Sequence, residues 1–341
     1  MNQSARLHGG TDGLGTPRYD FSTNSNACGP CPQVVQMLQV CDASHYPDPS
    51  YTALRERLAA FHGVSVSRVL LAGSASEFIF RMTAWIAQQG GGQVSVPGHS
   101  YADYTHAAQA WGLEVVCRGD AGHPGTPMPF AWYCDPSSPL GQPDVLAGPG
   151  VAVLDRAYEP LRLQGIPGWS DAQLNQVWQL WTPNKALSLT GVRAAYVIAP
   201  MDSAETAASL ERLSPSWPVG AHGAALLQAW TQVPVQTWLA ESLVTLRNWK
   251  VRQMALLESL GWTCEPSHTN FFCARPAGHG HAPADWLGAL TCLREQGIKL
   301  RDAASFGLAG SVRLSVQAPA AQDALAVAWQ SLASKHLSET A

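Results

Sequence analysis

The chain has 341 residues, of which 46% are hydrophobic and 13% charged, with a formal charge of -4. That composition excludes a disordered or fibrous chain and leaves room for a sizeable core, divided into about two domains at roughly 150 residues each. With 21 basic against 25 acidic residues, there is no electrostatic footprint for a nucleic-acid backbone or an anionic membrane. No run supplies the ~20 apolar residues of a spanning helix, and the opening lacks the apolar centre of a secretion signal, so a cytoplasmic protein without a membrane partner is expected. Eight scattered cysteines are too sparse for a disulfide scaffold and read as reduced, buried apolar residues.

From about residue 50, helical patterns alternate with short β-rich apolar runs. Helical periodicity over 50–62 stops at Gly63, and 68–72 reads as a buried strand. A helix over 76–89, a strand over 93–97, a helix over 101–111 and a strand over 114–117 follow. Further strands are predicted over 130–134, 151–155, 177–182 and 193–199. This alternation implies a largely parallel sheet covered on both faces, with its chemistry at the strand ends. Residues 221–260 are helical throughout in pattern, long enough for an interdomain strut. Beyond them, strands over 270–274, 298–301 and 311–316 and helices over 283–296 and 322–336 describe a smaller α+β unit.

The most informative segment is Trp181-Thr-Pro-Asn-Lys185-Ala-Leu-Ser-Leu-Thr-Gly-Val-Arg193. It sets a lysine in a loop after a strand and an arginine at the start of the next. A lysine amine in a desolvated pocket can form a Schiff base, most commonly with pyridoxal phosphate, and an arginine can grip that cofactor's phosphate bidentately. The same spacing also fits two solvated surface charges. Asp155 ends an apolar strand, where a carboxylate can keep a pyridine nitrogen protonated; a helix N-cap reads alike. Tyr158 follows three residues later. Leu71-Ala-Gly73-Ser74-Ala75-Ser76 joins a strand to a helix through small residues whose free amides suit a phosphate. Tyr101 can stack on a planar ring, and the turn Asp135-Pro-Ser-Ser138-Pro139 can present a hydroxyl; core packing and a plain turn are the bland counterparts.

In this order and spacing the segments resemble the fold type I pyridoxal-phosphate enzymes, close to the histidinol-phosphate aminotransferases and to the threonine-phosphate decarboxylases. His8-Gly-Gly, Asp20-Phe-Ser-Thr-Asn24-Ser-Asn26 and His45-Tyr46-Pro-Asp-Pro-Ser-Tyr51 carry the likeness at the N-terminal end. The resemblance implies an α/β fold, with a large domain built on a mostly parallel seven-stranded sheet and a small α+β domain. Its boundaries would be an arm over 1–45, the large domain over 46–220, and an interdomain helix with the small domain over 221–341. It further implies Lys185 as the Schiff-base lysine, Asp155 on the pyridine nitrogen, Tyr158 near the phenolic oxygen and Tyr101 as the stacking ring. Ser74, Ala75, Thr182 and Arg193 would hold the phosphate, Ser138 would meet the phenolic oxygen, and Tyr46 would reach in from the partner subunit of a homodimer. Arg313 would take a substrate carboxylate, and Arg301 with His8 a substrate phosphate, near Asn24.

Opening on His-Gly-Gly points to decarboxylation of threonine phosphate to aminopropanol phosphate, a step of cobalamin biosynthesis. Transamination of histidinol phosphate is the alternative, and a non-catalytic, ligand-binding relative the second. Three positions depart from the family pattern: Ser138 in place of Asn, Asn184 in place of Ser, and Arg156 in place of Glu. All three bear on the electronic tuning of the cofactor. Two motifs compete for other functions. Cys28-Gly-Pro-Cys31 matches a dithiol redox motif but lacks a preceding strand, and His279-Gly-His281 lacks a third metal ligand nearby.

Overall fold

Apolar runs bounded by polar or glycine-rich stretches become the strands of a seven-stranded sheet. The computed structural model describes residues 9–118, 130–145, 150–276 and 283–339. The first strand, β1 (Tyr19–Asp20), and helix α1 (Pro32–Gln39) belong to the N-terminal segment. Then come α2 (Thr52–His62), β2 (Val69–Ala72), α3 (Ala75–Gln88), β3 (Gln93–Pro97), α4 (Ala102–Ala110), β4 (Glu114–Arg118), β5 (Phe130–Cys134) and β6 (Val151–Asp155). After a short α5 (Asp171–Leu174), β7 (Trp178–Trp181), β8 (Ala195–Ile198) and α6 (Ala204–Arg212) complete this part.

The strand order is β2-β8-β7-β6-β5-β3-β4. All neighbours run parallel except β8, which is antiparallel to β2 and β7. Strands β2, β5, β7 and β8 are buried along their whole length, as a sheet covered on both faces requires. The mostly parallel sheet expected from the alternating pattern is therefore present, with one reversed strand.

The C-terminal part begins with α7 (Ala221–Trp230) and α8 (Val233–Ser259) and continues through β9 (Trp262–Cys264), β10 (Phe271–Pro276), α9 (Pro283–Glu295), β11 (Ile298–Lys299), β12 (Arg301–Asp302), β13 (Val312–Ser315) and α10 (Pro319–Glu339). The single helix predicted over 221–260 is two helices. Gln232 is extended, and Pro234, lacking an N–H, sits in the first turn of α8, where no intrahelical donor is needed. The predicted strand over 298–301 also divides. Ile298 and Lys299 pair in parallel with Tyr19 and Asp20, whereas Arg301 and Asp302 pair antiparallel with Arg313 and Val312. The second half joins a four-stranded sheet of order β12-β13-β10-β9. One continuous core cluster links the two parts, from Phe21 and Val34 through Leu226, Leu246 and Trp262 to Leu314. Among the described residues no helix is long and apolar enough to cross a membrane.

Candidate active site

A cavity of about 380 Å³ opens at the carboxyl ends of the parallel strands, where open α/β sheets place their ligands. Strand β6 delivers Asp155 there, β5 delivers Cys134, and the loop after β7 delivers Thr182, Asn184 and Lys185. Because β8 is reversed, its N-terminal end brings Arg193 and Ala194 to the same edge.

Lys185 is held from beneath. Its carbonyl accepts the Asn26 N–H at 3.0 Å, the Ala186 carbonyl accepts Asn26 Nδ2 at 3.0 Å, and the Leu187 carbonyl accepts the Cys31 N–H at 3.1 Å. The Cys28-Gly-Pro-Cys31 turn is thus part of the scaffold of the lysine loop. Both thiols are free, and burial pushes both pKa values up, opposite to what a thiolate nucleophile needs. Lys185 Nζ lies 4.9 Å from the Tyr158 ring centroid and has no hydrogen-bond or ion-pair partner among the described residues.

Asp155 is buried, and its two oxygens are separately engaged: Oδ2 accepts the Tyr104 hydroxyl at 2.8 Å and Oδ1 accepts the Ala157 N–H at 2.9 Å. Burial raises its pKa, while the Lys185 charge and these two donors oppose the rise. Tyr104 stacks on Trp132 with ring centroids 4.9 Å apart and planes 8° off parallel, so its hydroxyl is held rigidly. Tyr158 OH accepts Asn24 Nδ2 at 3.4 Å, and its ring meets Phe271 edge-on.

The opposite wall is the start of α3. Ser74 caps the helix by accepting the Glu77 N–H at 3.0 Å, and Ala75 and Ser76 line the cavity beside it. Gly73 is required by contact: a Cβ there would lie 2.8 Å from the Pro218 carbonyl oxygen. Tyr101 OH meets Ser76 Oγ at 3.1 Å, and burial raises the Tyr101 pKa strongly. Arg193 lines the cavity with no hydrogen-bond or ion-pair partner among the described residues. Thr182 Oγ1, Asn24 Oδ1 and Arg313 Nε are buried with no hydrogen-bond partner among the described residues. From the C-terminal part, Arg301 and Arg313 enter on β12 and β13. Arg313 donates to Ser138 Oγ at 3.2 Å and to the Ser22 carbonyl at 3.0 Å.

The sequence model of the family "Aminotransferase class I and II" matches residues 153–332, just over half of the chain. The chain belongs to the class I and II aminotransferases. It is similar to histidinol-phosphate aminotransferase of Jannaschia sp., with 28% identity over 88% of this chain and 87% of that one. It is similar also to histidinol-phosphate aminotransferase of Shouchella clausii, with 27% identity over 89% and 86%. Among solved structures it resembles histidinol-phosphate aminotransferase of Sinorhizobium meliloti in complex with pyridoxal-5'-phosphate, with a TM-score of 0.76, 21% identity and coverage of 91% and 89%. It resembles equally L-threonine-O-3-phosphate decarboxylase of Porphyromonas gingivalis, with a TM-score of 0.75, 21% identity and coverage of 92% and 99%. These two likenesses show the fold, which is that of the fold type I enzymes. The chain is accordingly an enzyme of the pyridoxal-phosphate-dependent class, with pyridoxal 5'-phosphate as its cofactor.

The residues present fit that cofactor. An amine and an arginine with no hydrogen-bond or ion-pair partner among the described residues, a helix N-terminus, a buried hydroxyl likewise unpaired and a buried carboxylate share one cavity, which is the donor set a phosphate-bearing pyridine aldehyde needs. Of the residues singled out in the sequence, Asn24, Ser74, Ala75, Tyr101, Ser138, Asp155, Tyr158, Thr182, Lys185, Arg193, Arg301 and Arg313 all line it. Tyr46 does not: it is 77% exposed and stacks on Trp217 with centroids 4.4 Å apart. His8, His279 and His281 lie outside the described residues. Ser138 contacts Arg313, a partner the resemblance did not supply. Arg156 faces away from the cavity, over the Trp181 ring at 4.4 Å and bonded to Gln179 Oε1 at 3.0 Å.

Two lining residues were not legible as functional. Tyr104 falls inside a predicted helix three positions after Tyr101, and that spacing, which puts both on one helix face, was its only signal. Phe306 sits in an irregular turn and gave none.

Proposed function

We propose that this enzyme is an aminotransferase of the histidinol-phosphate type, moving an amino group between a small phosphorylated amine and a dicarboxylic keto acid. The observation carrying this reading is the convergence of Lys185, Asp155 and the Arg301–Arg313 pair on one cavity. The names of relatives aligned over nearly nine-tenths of the chain favour amino-group transfer. When bound, pyridoxal phosphate supplies an electron sink for the bond broken at the substrate's α carbon.

Lys185 Nζ would take the proton from the substrate's α carbon. Asp155, whose oxygens accept the Tyr104 hydroxyl and the Ala157 N–H, would hold a proton on the cofactor's pyridine nitrogen. Ser74 and Ala75 at the α3 N-terminus, with Thr182 and Arg193, hold the cofactor phosphate. Tyr101 and Tyr158 line the same cavity and would bind the cofactor's ring, and Ser138 accepts a hydrogen bond from Arg313. Arg313 and Arg301 receive the acidic groups of the substrates, beside Asn24 and, from the arm, His8. We infer further that the enzyme works as a cytosolic homodimer, with Tyr46 of the 1–45/46–220 junction completing the neighbouring copy's site; the exposure of the stacked Tyr46–Trp217 pair supports this.

A second reading, decarboxylation of threonine phosphate, is favoured by Gly9. Gly9 lines the cavity, and a Cβ there would overlap the Ser22 backbone, so the Gly-Gly that follows His8 fits a segment pressed against the substrate space. One experiment separates the readings: purified enzyme with pyridoxal phosphate, assayed for glutamate formed from histidinol phosphate with 2-oxoglutarate and for carbon dioxide released from threonine phosphate. Glutamate formation that disappears in Lys185→Ala is the expected result. Carbon dioxide release without amino-group transfer would reverse the assignment.

A further inference from the structure

Residues 98–100 join β3 to the start of α4, where Tyr101 lines the cavity. The loop is closely held at both ends. A Cβ on Gly98 would lie 3.1 Å from the Arg118 carbonyl oxygen at the end of β4. Tyr101 is fixed by its hydroxyl contact to Ser76 and by the Tyr104 ring, edge-on with centroids 5.9 Å apart. Between these two ends stands His99, just outside the cavity lining. Its Nδ1 lies 2.6 Å from the carbonyl of Phe306, 207 positions away in the turn that joins β12 to β13. A carbonyl only accepts, so Nδ1 carries the proton and donates.

The turn is a self-bonded unit with this one carbonyl to spare. The Phe306 and Leu308 N–H groups both donate to the Ala303 carbonyl, at 2.9 and 3.1 Å, and the Gly307 N–H donates to the Ala304 carbonyl at 2.9 Å. The Ala303 N–H returns to the Ser311 carbonyl at 2.9 Å, and the Asp302 carboxylate accepts the Ala304 N–H at 3.1 Å. The Phe306 carbonyl accepts no backbone N–H among the described residues, as is usual where a short helical turn ends, and a side chain or water must satisfy it. Gly307 follows at φ +81°, a left-handed conformation that favours glycine, and a Cβ there would already touch the His99 ring at 3.4 Å. Phe306 and Tyr101 line the same cavity. The His99 bond therefore ties a wall carried by the four-stranded sheet to one carried by the seven-stranded sheet.

We propose that His99 is a positioning residue: its Nδ1–H pins the 303–311 turn so that the Phe306 ring stays in the cavity wall, and every small ligand of that cavity, whatever its charge, gains affinity from the pin. The proposal rests on reading the cavity as the substrate site, and it adds to that reading a residue outside the lining that sets how well the site retains what it binds. A turn released from His99 spends part of its time away from the cavity, and affinity falls by the fraction of molecules whose wall is in place. One hydrogen bond is enough to change that balance by up to about tenfold.

The test uses the full-length, cofactor-loaded protein and calorimetric titration with 2-oxoglutarate, which has no amino group to hand over and so binds without turnover. Its affinity should fall about fivefold in His99→Leu and stay within about twofold of wild type in His99→Asn, whose amide Nδ2 donates from nearly the position of Nδ1. His99→Ala carries the same expectation as His99→Leu and replaces it should the leucine variant fold poorly. Propyl phosphate, which also lacks an amine, serves as the titrant should 2-oxoglutarate not bind the wild type. In the cofactor-free protein, exchange of the Leu308 amide should quicken about fivefold in His99→Leu and stay within about twofold in His99→Asn. In steady-state assays the KM values for histidinol phosphate and 2-oxoglutarate should rise together, with kcat within about twofold. Either affinity or exchange remaining at the wild-type level in the leucine and alanine variants would overturn the proposal, as would an asparagine variant that loses as much as they do. Missing glutamate formation by the wild type would count against transamination alone, since neither the titration nor the exchange measurement needs turnover.

Discussion

His62 makes acid stability a sharp probe of how this fold is buried. Its ring closes α2 against the sheet: Nε2 pairs with Tyr196 OH at 2.8 Å, and the ring packs at 4.9 Å from Trp181 and 5.0 Å from Phe61. Burial, with the Arg156 charge adding to it, pulls its pKa from 6.5 down to about 4. The unfolded chain therefore binds a proton between those values that the native state refuses. The resulting stability is present above about pH 6.5 and is lost as pH falls towards 4. At pH 4.5 the linkage amounts to roughly 2–3 kcal/mol. His62→Gln keeps an amide that can meet the Tyr196 hydroxyl and removes the titration. Urea midpoints of both proteins should be compared at pH 7 and pH 4.5. The wild type should lose roughly 2–3 kcal/mol more than the variant over that interval, and the carboxylates, common to both, cancel in the difference. Parallel losses would refute the claim that this imidazole is neutral and desolvated.

Lys250 gives the alkaline counterpart. It is buried on α8 with its amine donating to the Ser267 and Thr269 carbonyls, and burial lowers its pKa to about 8. Because the native amine sheds its proton first, the wild type should gain roughly 2–3 kcal/mol relative to Lys250→Met between pH 7 and pH 10, read from urea midpoints. Gly73→Ala drives a methyl onto the Pro218 carbonyl oxygen at the α3 N-terminus. It should cost about 1–3 kcal/mol by thermal denaturation and weaken cofactor affinity measured by equilibrium dialysis. Tyr104→Phe removes a 2.8 Å donor from Asp155. The Asp155 carboxyl should then titrate higher in carbon-13 spectra of the cofactor-free protein, with turnover of the loaded enzyme falling about tenfold; an unmoved carboxyl resonance would sink that assignment.

Strands at 93–97, 130–134 and 151–155 were legible to the residue because each is a short apolar run whose flanks cannot continue it. The helix break at 231–232 was less legible, since Pro234 is as compatible with a kink as with a fresh start, and only the packing of α7 and α8 decides. The division of 298–301 had no local signal at all: Ile298 and Arg301 serve different sheets because β1 and β13 lie on different sides of them. The site shows the same contrast. Lys185, Asp155 and Arg193 were legible because strand ends and a loop lysine have a chemical signature. Tyr104 and Phe306 were not, because what they touch is set by tertiary placement.

The departures at 138, 156 and 184 can be sorted by the same physics. Successive side chains on a strand point to opposite faces. With Asp155 turned into the cavity at the end of β6, the next residue is sent to the far side, where Arg156 lines a separate cavity of about 880 Å³ beside His62. A change from glutamate to arginine there alters the environment of His62 and leaves the cofactor cavity's charges as they were. Asn184 lines the cofactor cavity, but its amide nitrogen is turned to the carbonyls of Thr190 and Val192 at 3.5 and 3.4 Å, bracing the lysine loop. Ser138 lines the same cavity, and its hydroxyl accepts a hydrogen bond from Arg313 at 3.2 Å. The three departures thus leave Lys185, Asp155, Thr182 and Arg193 together on the cavity wall.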